Sequence, residues 1–497
     1  MLVLSIVPIS RAQVLQTERF EIAVNNREQF EIVPASDNGL YLHRRLSAVK
    51  DDKLHLVKLD TAFREKWAGF LDLEKNYVVM GRKAFDANLF LLLRYKDYSR
   101  NDMILFVIND ADGRYKQYQI KGYIPFAPTE FQITSQAALI GGYYNRIPVV
   151  LHFSLTTLRS KVLPGLFSDA GELTQIKTYD DGTFDVLISA KNYTRQRTLW
   201  IKNYGADGSL YRNFALDPEE NKHLIFGRSL KTNGNKQLVA GVYGSRSSEY
   251  SRGLFIATID PSGLQQIRYY NFGDLENFFK YMKANRERRV KQRIERRKIK
   301  GKKIRFNYRF LVHEIVPYKE QFVLLGEAFY PKYHSVDRGH YSGFFNPNTP
   351  MPTGIIQNGR IFDGYYYTHA VVMGFTENGK ILWDNSFEIN DVKTFTLEQF
   401  VKLEVLPDKI ALLYLFDNHI RTKIIQNNVV IEGKTIDPIR TLNDADIVKE
   451  EKNDSNKLEY WYDNYLYAYG VQDVVTTHPE GAVKRKVFFI NKLHYPK

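Results

Sequence analysis

Three stretches of this 497-residue chain hold residue types that could do chemistry. Asn109-Asp110-Ala111-Asp112-Gly113 has the oxygen-rich look of a calcium loop. With Gly113 at the sixth loop position, the first falls on Ile108 and the twelfth on Gln119. Two oxygen ligands are thereby lost, and a tight turn is the expectation. His334, Asp337 and His340 are spaced closely enough to share a metal ion; a loop with solvated histidines is the plainer reading, and no metal is expected. The third stretch is basic. From Lys280 to Arg305 there are 14 Lys or Arg against Glu287 and Glu295, a local net of +12 in a chain of net +14. Arg286, Arg288, Arg289, Lys291, Arg293, Arg296, Arg297 and Lys298 are the candidates for contact with a partner. Such a run suits nucleic acid, anionic lipid or an acidic protein face. Arginine favours bidentate contacts with carboxylate or phosphate. A merely solvated charged helix has the same look.

No His-Glu-x-x-His, no Gly-x-Ser-x-Gly, no Gly-rich phosphate loop after a strand and no Ser-x-Asp-x-Gly box occurs. The reading is therefore of a protein that is not an enzyme and needs no cofactor. A site gathered from several distant elements would leave no such linear trace.

The elements that must position these residues repeat. Gly253 to Phe272, GLFIATIDPSGLQQIRYYNF, reads as a buried strand, a turn at Asp260-Pro261-Ser262-Gly263 and a second, alternating strand. The same grammar returns in copies beginning near Phe30, Tyr77, Phe131, Leu173, His223, Phe310, Val401 and Leu458. Spacings of roughly 45 to 55 residues fit four-stranded blades. The last copy lacks a strand, and Arg19 to Val24 is available to supply it, which would remove an exposed sheet edge. The expected fold class is all-β, a β-propeller of eight blades closed by the N-terminal strand, or of seven if the weak copy at Val401 to Ile436 is a linker. One propeller domain is expected over residues 13–497. Two insertions interrupt it. Residues 273–305 should form a helix whose early apolar residues (Leu275, Phe278, Phe279, Tyr281, Met282) dock while its basic half projects. Residues 330–367 show no period and read as a long loop, with Phe344 and Phe345 as further partner-contact candidates. Leu442 to Asn456 reads as a third, shorter loop. Thr376 to Trp383 has the Gly turn and trailing Trp of the docking motif in quinone-cofactor propellers, but it occurs once and reads as an ordinary hairpin.

Tyr and Phe number 33 and 32, which suits half-buried sheet faces, and there is no cysteine, so disulfides, thiolate metal sites and a Cys nucleophile are excluded. Leu2 to Pro8 followed by Ser10-Arg11-Ala12 reads as the end of a secretory signal in residues 1–12, or as an apolar first strand.

The leader ending at Ala12-Gln13, the Cys-free aromatic-rich chain and units such as GLFIATIDPSGLQQIRYYNF followed by Phe278-Phe279-Lys280-Tyr281 resemble exported β-propellers of the Bacteroidota. Among these the chain looks most like the plug component of the type IX secretion translocon. That resemblance implies a periplasmic protein, a monomer within a hetero-complex, that caps the inner opening of a large outer-membrane β-barrel. On that reading nucleic acid drops out as a partner, and lipid or lipopolysaccharide phosphates remain. The alternatives are an exported glycan- or surface-binding propeller and a hydrolase or quinoprotein with clustered carboxylates or histidines on its inner strands.

Overall fold

The computed structural model describes residues 14–25, 30–47, 51–96, 102–122, 126–166, 170–245, 250–335, 360–390, 392–449, 456–478 and 481–495. Their strands form eight separate antiparallel sheets, six of four strands and two of five; seven are built from consecutive strands, and the eighth joins the first strand to the last four. This is an eight-bladed β-propeller. The weak seventh copy is a complete blade, Lys402–Val405, Lys409–Phe416, His419–Gln426 and Val429–Pro438. Bulges near Ile424 had disguised its alternation.

The burial of each strand follows from its composition. Second strands such as Phe184–Lys191 and Gln237–Gly244 are near-continuous apolar runs and are buried on both faces. Fourth strands such as Tyr115–Ile120 and Leu210–Ala215 carry polar residues and remain largely open to water.

Two compact units are present. Residues 76–108 and 115–399 form one, with blades two to six; the described residues of 1–75, 109–114 and 400–497 form the other, with blades one, seven and eight. In the latter, Leu15–Ala23 pairs along Gly481–His494 as the outermost strand of blade eight. The two ends of the chain thus share one sheet, as the missing strand required. Arg19 secures the pairing, bonding Glu21 at 2.7 Å, Asn491 at 2.8 Å and Gln472 at 2.8 Å.

The turn that links third and fourth strands has a common job. In blade six, its carbonyls accept hydrogen bonds from blade five: Thr258 Oγ1 to Glu377 (3.0 Å), Arg268 Nε to Asn378 (2.8 Å) and Tyr270 OH to Gly379 (2.7 Å). In blade four, the Ala206 carbonyl sits 3.0 Å from His152 Nε2 of blade three. The Asn109–Gly113 turn meets blade one, where Trp67 Nε1 donates to the Asp110 carbonyl at 2.8 Å. In blade one, the Thr61 carbonyl accepts from Lys492 of blade eight at 2.9 Å, and Phe63 stacks on Trp461. Each of these turns docks on the blade before it. Glycine lets the backbone come close; at Gly379 φ is +78° and a Cβ would stand 3.1 Å from Ile256.

Two of the expected loops are partly strand. Blade six carries a long ribbon, Gln321–Ser335 paired with Arg360–Phe375, so both flanks of the 330–367 stretch are paired. Register shifts after Ala328 and Lys332, together with Gly364 at φ +127°, break the alternation that would have shown it. Asp446–Val448 likewise pairs with the ribbon of blade eight. Among the described residues no helix is long and apolar enough to cross a membrane.

Candidate functional site

The basic insertion is built from its aromatic foot upward. Phe272, Phe278 and Phe279 are buried in one core cluster with Phe310, Met373 and Phe375 of blade six. Asp384 of blade six accepts the backbone N–H of Glu276 at 2.9 Å and of Asn277 at 2.8 Å. Tyr281 stacks face to face on the fully buried His369, centroids 3.7 Å apart. Burial lowers the pKa of His369 to about 3 and raises that of Asp384.

The expected helix is shorter than the insertion. Residues 275–283 are irregular, because Leu275, Phe278 and Phe279 enter the core from successive turns and Asp384 takes the amides that a first helical turn would point outward. Helix α1 spans Ala284–Ile299. Its basic half does not project free. Ile294 is buried and Val290 is packed on the same cluster, so an apolar stripe pins the helix along its length.

Each predicted contact residue of α1 now has a place. Lys291 pairs with Glu287 at 2.8 Å, Arg297 donates to the Lys303 carbonyl at 3.0 Å, and Lys298 pairs with Asp274 at 2.9 Å. Arg288 is exposed and reaches Asn285 at 3.1 Å. Arg286, Arg289, Arg293 and Arg296 are exposed, and their spacings of three, four and three put them on one stripe. The stripe holds no acid; Glu287 and Glu295 lie off it. Its length is about 15 Å at the ordinary helical rise. Phe344 and Phe345, Asp337 and His340, and the residues of the proposed signal at 1–12 lie outside the described residues, as does the side chain of His334.

A cleft of about 690 Å³ opens where the chain leaves α1 and returns to blade five. Lys222, Arg252, Lys298, Lys302, Lys303 and Arg305 line it, with Glu220 and Asp274 as its acids. The amide side chains of Asn221 and Asn271 and the hydroxyl of Ser245 also reach it. No linear pattern revealed this cleft, since its walls come from five separated segments. The signal that pointed toward it was the continuation of basic residues past Lys298.

A second polar group gathers on the first strands of blades three to six. Glu314 of blade six meets Lys177 of blade four at 2.8 Å, and Gln175 at 2.9 Å, across the intervening blade five. Glu130 and Arg228 face the same group; burial raises the pKa of the carboxyl and lowers that of the guanidinium. Among the described residues no group of three or more His, Cys, Asp or Glu could hold a metal. The Asn109–Gly113 stretch is a turn, and its Asp110 carboxylate is taken by Lys58 and Tyr41.

The class that fold and site define is an eight-bladed β-propeller carrying a pinned basic insertion. No family model matches the chain, and no curated protein matches it. Among solved structures it is similar to the polysaccharide lyase Uly1 (9% identity over 84% of this chain and 90% of that one, TM-score 0.40). It is also similar to the β-propeller domain of the trilobed protease from Pyrococcus furiosus (10% identity, 82% and 98%, TM-score 0.36). A third is the dihydro-heme d1 dehydrogenase NirN (11% identity, 97% and 79%, TM-score 0.42). Similarity this low carries no argument about activity, and the fold stands on the strand order itself.

Proposed function

We propose that the protein is a non-catalytic docking scaffold whose propeller holds an arginine stripe against an acidic face of a partner protein. One observation carries the reading: Arg286, Arg289, Arg293 and Arg296 share an exposed, acid-free stripe on a helix that Val290 and Ile294 fix to the core. A charged helix kept only for solubility has no need of such pinning. Pre-ordering lowers the entropy cost of binding, and arginine forks suit carboxylates.

At finer grain, the resemblance described above supports a particular partner and place. The protein is exported to the periplasm and caps the inner opening of a large outer-membrane export barrel of the type IX kind, as a monomer within that complex. A cap must come off when substrate passes, and a polar, salt-sensitive interface suits reversible closure.

The test is a four-fold charge reversal, R286E/R289E/R293E/R296E, in the full chain expressed in its native host. Deletion of the whole insertion is unsuitable, because it would also strip Phe278 and Phe279 from the core. The wild type should co-purify with an outer-membrane barrel at low salt and release it at high salt, and the variant should lose it at least ten-fold. Equal recovery by the variant would overturn the docking role of the stripe, and a partner outside the outer membrane would overturn the finer reading.

A further inference from the structure

The cleft behind α1 holds more positive charge than its surroundings use. Lys298 is matched by Asp274 at 2.9 Å, and Lys222 by Glu219 at 2.6 Å while its ammonium lies 3.6 Å from the Tyr269 ring centroid. Arg252 is held by the Phe306 carbonyl at 3.1 Å and by Asn307, both neutral. Lys302, Lys303 and Arg305 line the same wall. Among the described residues, Arg252, Lys302, Lys303 and Arg305 therefore face Glu220 as the remaining acid of the cleft.

Helix stability does not account for them. The C-terminal end of a helix carries roughly half a negative charge, and its effect fades within the last turn. Arg296, Arg297 and Lys298 already occupy that turn. Lys302, Lys303 and Arg305 lie beyond it, on chain that bends back toward blade five through Asn271 Nδ2 to the Ile304 carbonyl at 3.2 Å. Ile304 and Phe306 are packed on the core cluster, so the positions on either side of Arg305 are anchored. Charges on anchored backbone are not free to spread apart, and their mutual repulsion is relieved by a bound anion.

We infer that this cleft is a binding site for a phosphorylated ligand carrying at least two phosphoryl groups. A volume of about 690 Å³ sits within the range of roughly 300 to 1,000 Å³ usual for small-molecule sites, far more than one phosphate fills. Arg252 and Arg305 offer guanidinium forks, Lys302 and Lys303 offer point charges, and Asn221 offers a neutral amide for a sugar or glycerol between the phosphoryl groups. The chemistry is shared by a free diphosphate and by the phosphorylated headgroup of a lipid.

The full-length protein is titrated with pyrophosphate, with inorganic phosphate, and with vesicles of phosphatidylcholine with and without cardiolipin, whose headgroup carries two phosphoryl groups on one glycerol. Saturable pyrophosphate binding, at least ten-fold tighter than that of inorganic phosphate, is expected. K302E/R305E should weaken it ten-fold or more, K302Q/R305Q less, and R289E/R293E on the outer stripe by less than two-fold. Lys302 and Arg305 are exposed, so both substitutions leave the core intact. Vesicle binding that needs cardiolipin and is lost in K302E/R305E assigns the ligand to a lipid headgroup; pyrophosphate binding without vesicle binding assigns it to a soluble phosphate. The inference is overturned if neither probe binds saturably, or if R289E/R293E loses as much affinity as K302E/R305E. The outcome is independent of the partner-docking reading, because each set of substitutions leaves the other surface untouched.

Discussion

His369 shows how much one side chain can hold together without any linear signal. It is fully buried, Thr368 Oγ1 lies 2.9 Å from its Nδ1, and its Nε2 has no hydrogen-bond partner among the described residues. Tyr281 stacks on its ring, and Phe278 and Tyr308 meet it edge-on. With a folded pKa of about 3 against about 6.5 unfolded, the unfolded chain binds the extra proton between those values. Its contribution is therefore fully present above pH 6.5 and is lost as pH falls toward 3, by up to about 1.4 kcal/mol per pH unit. Chemical denaturation should find about 2 kcal/mol less stability at pH 5 than at pH 7.5 from this group alone. His369→Phe keeps the ring stack and should remove that difference; an unchanged pH loss in the variant would clear His369 of the role. In the sequence His369 is one of 11 histidines, and in the fold it lies within the strand Arg360–Phe375. Its importance arises from what the insertion lays over it, and that is a long-range fact.

At the scale of elements, the strands were the most legible and the insertions the least. Runs such as QLVAGVYG announce a strand buried on both faces, and the Asp-Pro-Ser-Gly turn announces its hairpin. Where packing overrides local preference the reading fails. Residues 275–283 have helical composition, yet three aromatic or aliphatic anchors and the Asp384 clasp claim them for the core. The 330–367 ribbon hid behind two register shifts. The pinned helix makes a direct prediction. Ile294→Asp buries a carboxylate in the core cluster that holds Phe272, Phe278 and Phe279 and should cost about 2 to 4 kcal/mol, releasing α1. Trypsin should then cut between residues 286 and 298 at least ten-fold faster than in the wild type, with blade five and blade six peptides still protected. Loss of protection throughout would mean the helix is integral to those blades rather than laid upon them.

Within each unit one device recurs, in blades one, two, four and six: the third turn of the blade gives a backbone carbonyl to the blade before it. Blade one thus docks its Thr61 turn on blade eight. The count of eight and the closing strand were legible because both are patterns of spacing. The cleft and the inner polar group were not, because they join residues that the sequence keeps tens of positions apart. Removing residues up to Ala23 should open the edge of Gly481–His494 over Val487–His494, the stretch that Leu15–Ala23 covers. Light scattering should then show concentration-dependent association, reversed by a peptide of sequence LQTERFEIA supplied in trans. A truncated chain that stays monomeric would show the edge to be protected by other means.

The shared sheet of blade eight also sets a timetable. Leu15–Ala23 leaves the ribosome several hundred residues before its partner Gly481–His494 is made. Through all of that interval the strand has no native neighbour to pair with. A chain in that state stays open to handling by a chaperone until the partner strand arrives.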